Sequence, residues 1–224
     1  MVGQSVLLEC LADPAVTRIL VITRRSLARK DGKLTELLHQ DFTDFAPLRQ
    51  RLIAFAPDAC FHCMGVSSLG MDEASYTRLT LDVTKSLADH VYEANPRAVF
   101  TYVSGAGTDE TERGGLMWAR VKGAAENYVL QRGFRDAYAY RIGAVIPEKG
   151  VRSATGWVNL VYTLTRPFHG WMKRLDGMIT STQLGRSMIA LVSTPYPEKR
   201  LENKDIKAIA TGMPTSDGTQ ASSD

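Results

Sequence analysis

The sequence predicts a doubly wound α/β domain with a parallel central sheet that lacks its first strand. Three observations carry this reading. Short apolar segments alternate with helix-patterned segments along nearly the whole chain. Most of the apolar segments are apolar on both faces, as a sheet covered by helices on both sides requires. The chain also enters abruptly: Met1-Val2-Gly3 reads as the end of a Gly-rich turn that runs straight into a helix, with no apolar strand ahead of it.

In order, the pattern gives a helix over Gly3–Ala12 and a strand over Ile19–Thr23. A further apolar stretch precedes His39, and a helix follows over Pro47–Ala54. A strand at Ala59–Met64 leads to a long helix over Asp72–Glu93, with Asp72 as a good N-cap. A strand at Ala98–Ser104, a helix over Leu116–Gln131, a strand at Ala137–Ile142 and a helix over Thr182–Ser193 complete the series. There is no internal repeat. Residues 1–211 therefore read as one domain, and Gly212–Asp224, almost free of apolar residues, as a disordered tail.

Composition narrows the function. The 224 residues are enough for one substantial core, and 44% are hydrophobic, which excludes a disordered chain. The net charge of +3 comes from dispersed residues, so nucleic acid is not an expected partner. No stretch is apolar enough to span a membrane, and no signal peptide is recognisable. Three cysteines, Cys10, Cys60 and Cys63, are too few for a disulfide scaffold, so a reducing, cytoplasmic setting is expected.

The strand ends carry the candidate ligand contacts. A helix N-terminus offers free N–H groups and partial positive charge, which suits a pyrophosphate, and Gly3 would let that helix pack close to the sheet. In a dinucleotide-binding βαβ unit, the residue after the second strand meets the adenosine ribose; an arginine there favours a 2′-phosphate. Arg24 holds that position, with Arg25 beside it, so NADP is expected rather than NAD; the competing reading is two solvated arginines in a turn. Asp41, next to Phe42, could accept from an adenine amino group or be an ordinary turn carboxylate. Gly65 closes the Ala59–Met64 strand and permits close approach of a ligand to the backbone.

The segment Thr101-Tyr102-Val103-Ser104-Gly105-Ala106-Gly107, followed by the helix Met117-Trp118-Ala119-Arg120-Val121-Lys122-Gly123, resembles the short-chain dehydrogenases/reductases of extended or atypical type. The similarity runs to the NAD-dependent epimerase/dehydratase-like and Tat-interacting oxidoreductase-like proteins and spans Gly3 to about Ile209. The resemblance implies a Rossmann-type fold and a nicotinamide cofactor. It implies that Ser104 orients a substrate carbonyl and that Lys122 holds the nicotinamide ribose. The family's proton-transferring Tyr falls at Trp118, whose indole N–H only donates and cannot act as acid or base. The resemblance also implies an upstream start, with Met1 inside a Gly-x-x-Gly-Met-Val-Gly loop and the lacking strand between those holding Ile19–Thr23 and Ala59–Met64.

Other signals carry less. Cys60 and Cys63 lie three apart on a strand and so point to opposite faces, which argues against a shared metal. Asp109, Glu110 and Glu112 read as a solvated loop, and are the first alternatives for a catalytic acid. An apolar stripe over 157–175, within a segment at about 150–180, reads as core or as a lid over a substrate pocket; a homo-oligomer face or a membrane-surface contact is the other reading. The expected activity is an NAD(P)-dependent oxidoreductase or epimerase acting on a small molecule that the sequence does not identify. The alternative is a non-catalytic NADP(H)-binding sensor or partner-binding protein.

Overall fold

The computed structural model describes residues 1–149 and 178–212. The 157–175 stripe, most of the 150–180 segment and all but the first residue of the 212–224 tail lie outside those residues. Helix α1 (Val2–Ala12) leads to parallel strands β1 (Ile19–Thr23) and β2 (Leu34–Leu38). A 3-10 turn and α2 (Arg49–Phe55) lead to β3 (Ala59–His62). Next come α3 (Glu73–Thr77), a π-helical segment (Arg78–Asp82) and α4 (Val83–Ala94), then β4 (Val99–Val103). Helix α5 (Met117–Gln131), β5 (Asp136–Tyr140) and β6 (Ala144–Ile146) follow. After 177 come β7 (Met178–Thr180), α6 (Ser181–Ser193), β8 (Arg200–Leu201) and α7 (Asn203–Thr211).

Every strand pair described is parallel. The hydrogen-bonded order is β1-β2 in one piece, β3-β4-β5-β8 in a second and β6-β7 in a third. Helices cover both faces. On one face Phe45, Leu52, Val83, Leu87, Val91 and Val129 pack on Phe100 and Tyr102, with Leu20, Ile22 and Cys60 against them. On the other, Val6, Cys10, Leu184, Met188 and Ile206 pack on Val99, Tyr138 and Tyr140, with Ile19, Phe61 and Cys63 against them. The alternation of Ile19 with Leu20, and of Cys60 with Phe61, between the two clusters is the period-two geometry of a strand buried on both sides.

Local chemistry accounts for most boundaries. Asp72 caps α3 by accepting from Ser75 N at 2.8 Å. Thr180 and Gln183 form a reciprocal capping box at the start of α6. Ala56 ends α2 in the left-handed region, at φ 45°. The long helix expected over Asp72–Glu93 exists, but its middle is π-helical. There Thr84 donates back to Thr80 O at 2.6 Å, a side-chain bond of the kind that bends helices. Strands β6, β7 and β8 have two or three residues each and rise from no clear sequence pattern; α7 likewise stands where the sequence showed no helix.

Candidate functional site at the carboxyl ends of the strands

Because the strands are parallel, their carboxyl ends share one edge of the sheet. The hydrogen-bonded order runs from β1 to β2 in one piece and from β3 to β4, β5 and β8 in another, and Arg18 ahead of β1 bonds Phe55 O ahead of β3 at 3.2 Å, which sets the order as one that reverses between β1 and β3. In open α/β sheets such a reversal opens a crevice at the carboxyl edge. Helix α1 begins there: a Cβ built on Gly3 would lie 3.4 Å from Cys63 Cβ, just past β3. Gly65, exposed, follows two residues later and has open space around it.

On the β1–β2 side, Arg24 and Arg25 are exposed, and no described group bonds either guanidinium. Their turn is held through the backbone, by Gln40 Nε2 donating to Arg24 O at 2.9 Å and Thr23 Oγ1 to Arg25 O at 3.0 Å. Asp41 is committed to its own turn. Its Oδ1 accepts from Thr43 N at 2.9 Å and Thr43 Oγ1 at 2.6 Å, and these bonds lower its pKa. Phe42 is half-buried, edge-on to Phe45 with ring centroids 5.6 Å apart.

On the β4 side, Ser104 is buried, and its Oγ lies 2.7 Å from Thr108 Oγ1. Thr108 spends its proton on Gly105 O at 2.8 Å, so the Ser104 hydroxyl must be the donor in that pair. The Ser104 proton is thus already used inside the loop. Trp118 stands in the first turn of α5, with its ring edge 3.6 Å from a Cβ built on Gly107. Lys122, one turn on, is largely buried, and burial lowers its pKa against the raising pull of Glu126. No described group hydrogen-bonds its ammonium.

The loop between β4 and α5 lies on the helix itself. Asp109 N donates to Ala119 O at 3.1 Å, and Asn127 Nδ2 to Glu110 O at 2.9 Å. A Cβ on Gly123 would fall 1.8 Å from Asp109 O, so this contact exists only because residue 123 has no side chain. The acidic cluster of this loop is structural. Asp109 accepts from Thr111, Arg113 and Gly114, which lowers its pKa. Glu110 pairs with Arg141 at 3.1 Å and Arg200 at 3.0 Å. Glu112 accepts from Asn127 at 2.7 Å.

Two polar groups beside the site were not singled out from the sequence. His62 at the end of β3 is buried, with Nε2 3.0 Å from Thr84 Oγ1. Since Thr84 donates to Thr80 O, the ring nitrogen must be the donor, which fixes the Nε2–H tautomer. Burial first, and the Lys122 charge second, push the His62 pKa down to about 4. Glu126, 0% exposed, accepts from Arg141 at 2.8 and 3.2 Å. The signal for His62 was one polar residue inside an apolar strand; Glu126 gave none, because its partners lie far along the chain.

The structure thus joins Gly3 to the end of β3 and Trp118 to the Ser104 loop. No described bond or ring contact links the Arg24, Arg25, Asp41 and Phe42 group to the Ser104, Trp118 and Lys122 group. Cys60 and Cys63 pack in opposite cores as free thiols, and burial raises both pKa values, that of Cys63 to about 12. Among the described residues no His, Cys, Asp and Glu cluster could hold a metal, and no helix is long and apolar enough to cross a membrane.

No protein-family model matches the chain. Among curated proteins it is similar to the protein fmp52, mitochondrial, of Emericella nidulans, with 27% identity over 155 residues. That match takes in 66% of this chain and 64% of the length of the relative. Among solved structures it resembles the GalE-like L-threonine dehydrogenase of Cupriavidus necator in its holo form, with a TM-score of 0.66 at 12% identity over 96% of this chain and 86% of that one. The Bordetella bronchiseptica enzyme WbmH in complex with NAD+ gives 0.64 at 16% identity, over 96% and 79% of the two chains. WbmG of the same organism, in complex with NAD and UDP, gives 0.63 at 14%, over 99% and 79%. At these identities the likeness is one of fold: the chain has the Rossmann-type α/β fold of these structures.

Proposed function

We propose that the chain is an NADP(H)-binding protein of the short-chain dehydrogenase/reductase kind, with an active site that has lost its ionisable acid. What supports this reading is an uncapped helix N-terminus at Gly3, packed against the end of β3, together with an exposed arginine after β1 that has no described partner, Arg24. Both ends of a nicotinamide dinucleotide find matching groups. The Arg24 guanidinium, with Arg25 beside it, is free to take a 2′-phosphate in a charge-assisted fork. The Lys122 ammonium, without a hydrogen-bond partner, suits a ribose hydroxyl. Asp41 has one carboxylate oxygen outside its turn bonds for the adenine, with Phe42 alongside, and Gly65 leaves the backbone open.

When bound, such a group supplies or accepts a hydride. The protein's own part is then to hold a carbonyl and move a proton. Ser104 can orient a carbonyl only by giving up its bond to Thr108. Trp118 can donate a hydrogen bond from its indole nitrogen but cannot release a proton. Both features favour slow turnover, or a second reading in which the protein senses NADP(H) and acts through a partner. The three free thiols suit a reducing compartment such as the cytosol.

Calorimetric titration of the purified chain with NADP(H) and NAD(H) tests the reading. The expected result is tighter NADP(H) binding, and a loss of about tenfold or more on Arg24→Ala with NAD(H) little changed. Equal affinities for the two cofactors in the unsubstituted protein would overturn the assignment to NADP(H).

A further inference from the structure

We propose that the reaction end of the crevice takes an uncharged, largely apolar carbonyl compound, an alkyl or aryl aldehyde or ketone, rather than a phosphorylated or nucleotide-linked substrate. The inference rests on the assignment of Ser104, Trp118 and Lys122 to that end, and names what they act on. Strands β3 and β4 are paired and parallel, so the segments that follow them, 63–72 and 104–116, leave the sheet side by side at its carboxyl edge. Arg120 ties the two together. Its Nη1 donates to Gly114 O at 2.7 Å, and its Nη2 to Glu73 Oε2 at 2.8 Å, just past residue 72.

Among the described residues, the two most exposed large apolar side chains are Leu69, at 90%, and Leu116, at 61%. One stands on each segment. Leu69 is displayed by its turn: Met71 N donates to Ser68 O at 3.1 Å, Leu69 N to Ser67 Oγ at 3.2 Å, and Gly70 bends the chain at φ 76°. Leu116 holds the N-cap position of α5 and makes no side-chain cap bond, although Ser, Thr, Asp or Asn is favoured there. Local structure asks for a polar residue at both positions, so the fold explains neither leucine. Single exposed leucines are ordinary on a protein surface. Two on adjacent, tied segments, with Met71 and Met117 half-buried beside them and the buried Ser104 at the base of one, form an apolar rim. Such a rim suits a substrate that has hydrocarbon to bury.

Charge points the same way. Segments 63–72 and 104–116 carry four carboxylates, Asp72, Asp109, Glu110 and Glu112, and a single cation, Arg113, which lies within four residues of three of them. The neighbouring arginines are committed: Arg120 to the bonds above, Arg141 and Arg200 to Glu110 and Glu126. A phosphate entering here meets an excess of its own charge, and like charges brought together select against it. The β1–β2 side is the reverse, with five cations and one carboxylate in residues 24–33. The carboxyl edge is thus divided: charge that suits phosphate at one end, apolar and acidic surface at the other.

Titration calorimetry of the 224-residue chain, with and without NADP+, tests this on straight-chain methyl ketones from butanone to decanone, and on glucose phosphate and UDP-glucose. Affinity for the ketones is expected to rise about two- to fourfold per added methylene. Both phosphorylated probes should bind about 100-fold or more weakly than decanone. Leu69→Ser and Leu116→Ser should flatten the chain-length dependence and weaken decanone by about tenfold. Ile53→Ser, at an exposed apolar position on α2, is the control and should leave that dependence as it is. Urea melts check that each variant folds. The proposal is overturned if affinity does not rise with chain length, if the leucine substitutions leave the rise intact, or if UDP-glucose binds more tightly than decanone. Adsorption to phosphatidylcholine vesicles that Leu69→Ser abolishes, without any ketone dependence, assigns the leucines to a lipid surface and overturns it too. The cofactor reading fails separately: chain-length dependence without NADP(H) binding overturns that reading and leaves the apolar site standing, and NADP(H) binding without the dependence does the opposite.

Discussion

Replacing Gly123 by Ala isolates the contact that holds the Ser104 loop against α5. In an exposed helix interior the change would stabilise by about 1 kcal/mol, because alanine is the better helix former. Here the added Cβ would sit 1.8 Å from Asp109 O, 2.6 Å from Asp109 C and 3.3 Å from Glu110 N. All three are backbone atoms, so no side-chain rotation relieves the overlap, and the loop must lift. Lifting endangers the Asp109 N to Ala119 O and Asn127 Nδ2 to Glu110 O bonds, each worth about 1 kcal/mol. Overpacking of this kind costs about 1–3 kcal/mol. The expected net loss is about 2–4 kcal/mol, or about 4–16 °C in Tm for a domain of this size. Gly115→Ala, where nothing lies within 4 Å of the new carbon, is the matched control and should change little. Urea melts of the three proteins at pH 7.5 decide it. A Gly123→Ala protein as stable as the parent, or more stable, would refute the packing of residues 105–115 on α5 and with it the described environment of Ser104.

The remaining predictions concern the site. Trp118→Tyr should raise NADPH oxidation across a panel of aldehydes, ketones and quinones by about 10²-fold or more, since general acid catalysis is worth about 10²–10⁴; a fall in brisk parental turnover would point to a different acid. Lys122→Ala should weaken cofactor binding in titration, and an unchanged affinity would remove Lys122 from the cofactor contacts. His62 should make stability pH-dependent. Its pKa falls from 6.5 to about 4 on folding, so the unfolded chain binds the extra proton between those values. Stability is therefore full above about pH 6.5 and is lost as pH falls toward about 4, by about 3 kcal/mol at most. Urea melts at pH 7.5, 5.5 and 4.5 should show this slope in the parent and a shallower one in His62→Gln; equal slopes would count against a buried neutral His62.

Parts of the molecule could be read from the chain because the relevant physics is local. A run such as Ile19–Thr23 has one low-energy fate, a strand covered on both faces, and Asp72 ahead of a helical pattern has one use, as a cap. The spacing of Trp118 and Lys122 is one helical turn whatever surrounds it, and the inability of indole to ionise is a property of the residue. Cys60 and Cys63 could be separated onto opposite faces from strand periodicity alone.

Other features depend on residues distant in sequence, and only the tertiary structure decided them. Whether Asp41 faces a ligand or its own turn depends on where Thr43 folds back. Glu126 is buried as a charge because Arg141 and Arg200 arrive from two later segments, and β8 is a strand only because Arg200 and Leu201 meet Ala139 and Tyr140. The Ser104 proton is spent on Thr108 because a turn brings the two hydroxyls within 2.7 Å, and Gly123 has no room for a side chain because a loop crosses that one position. Patterns of apolar and polar residues specify which face a segment buries. They do not specify which distant group will meet it, because that contact is set by the summed geometry of every turn between the two.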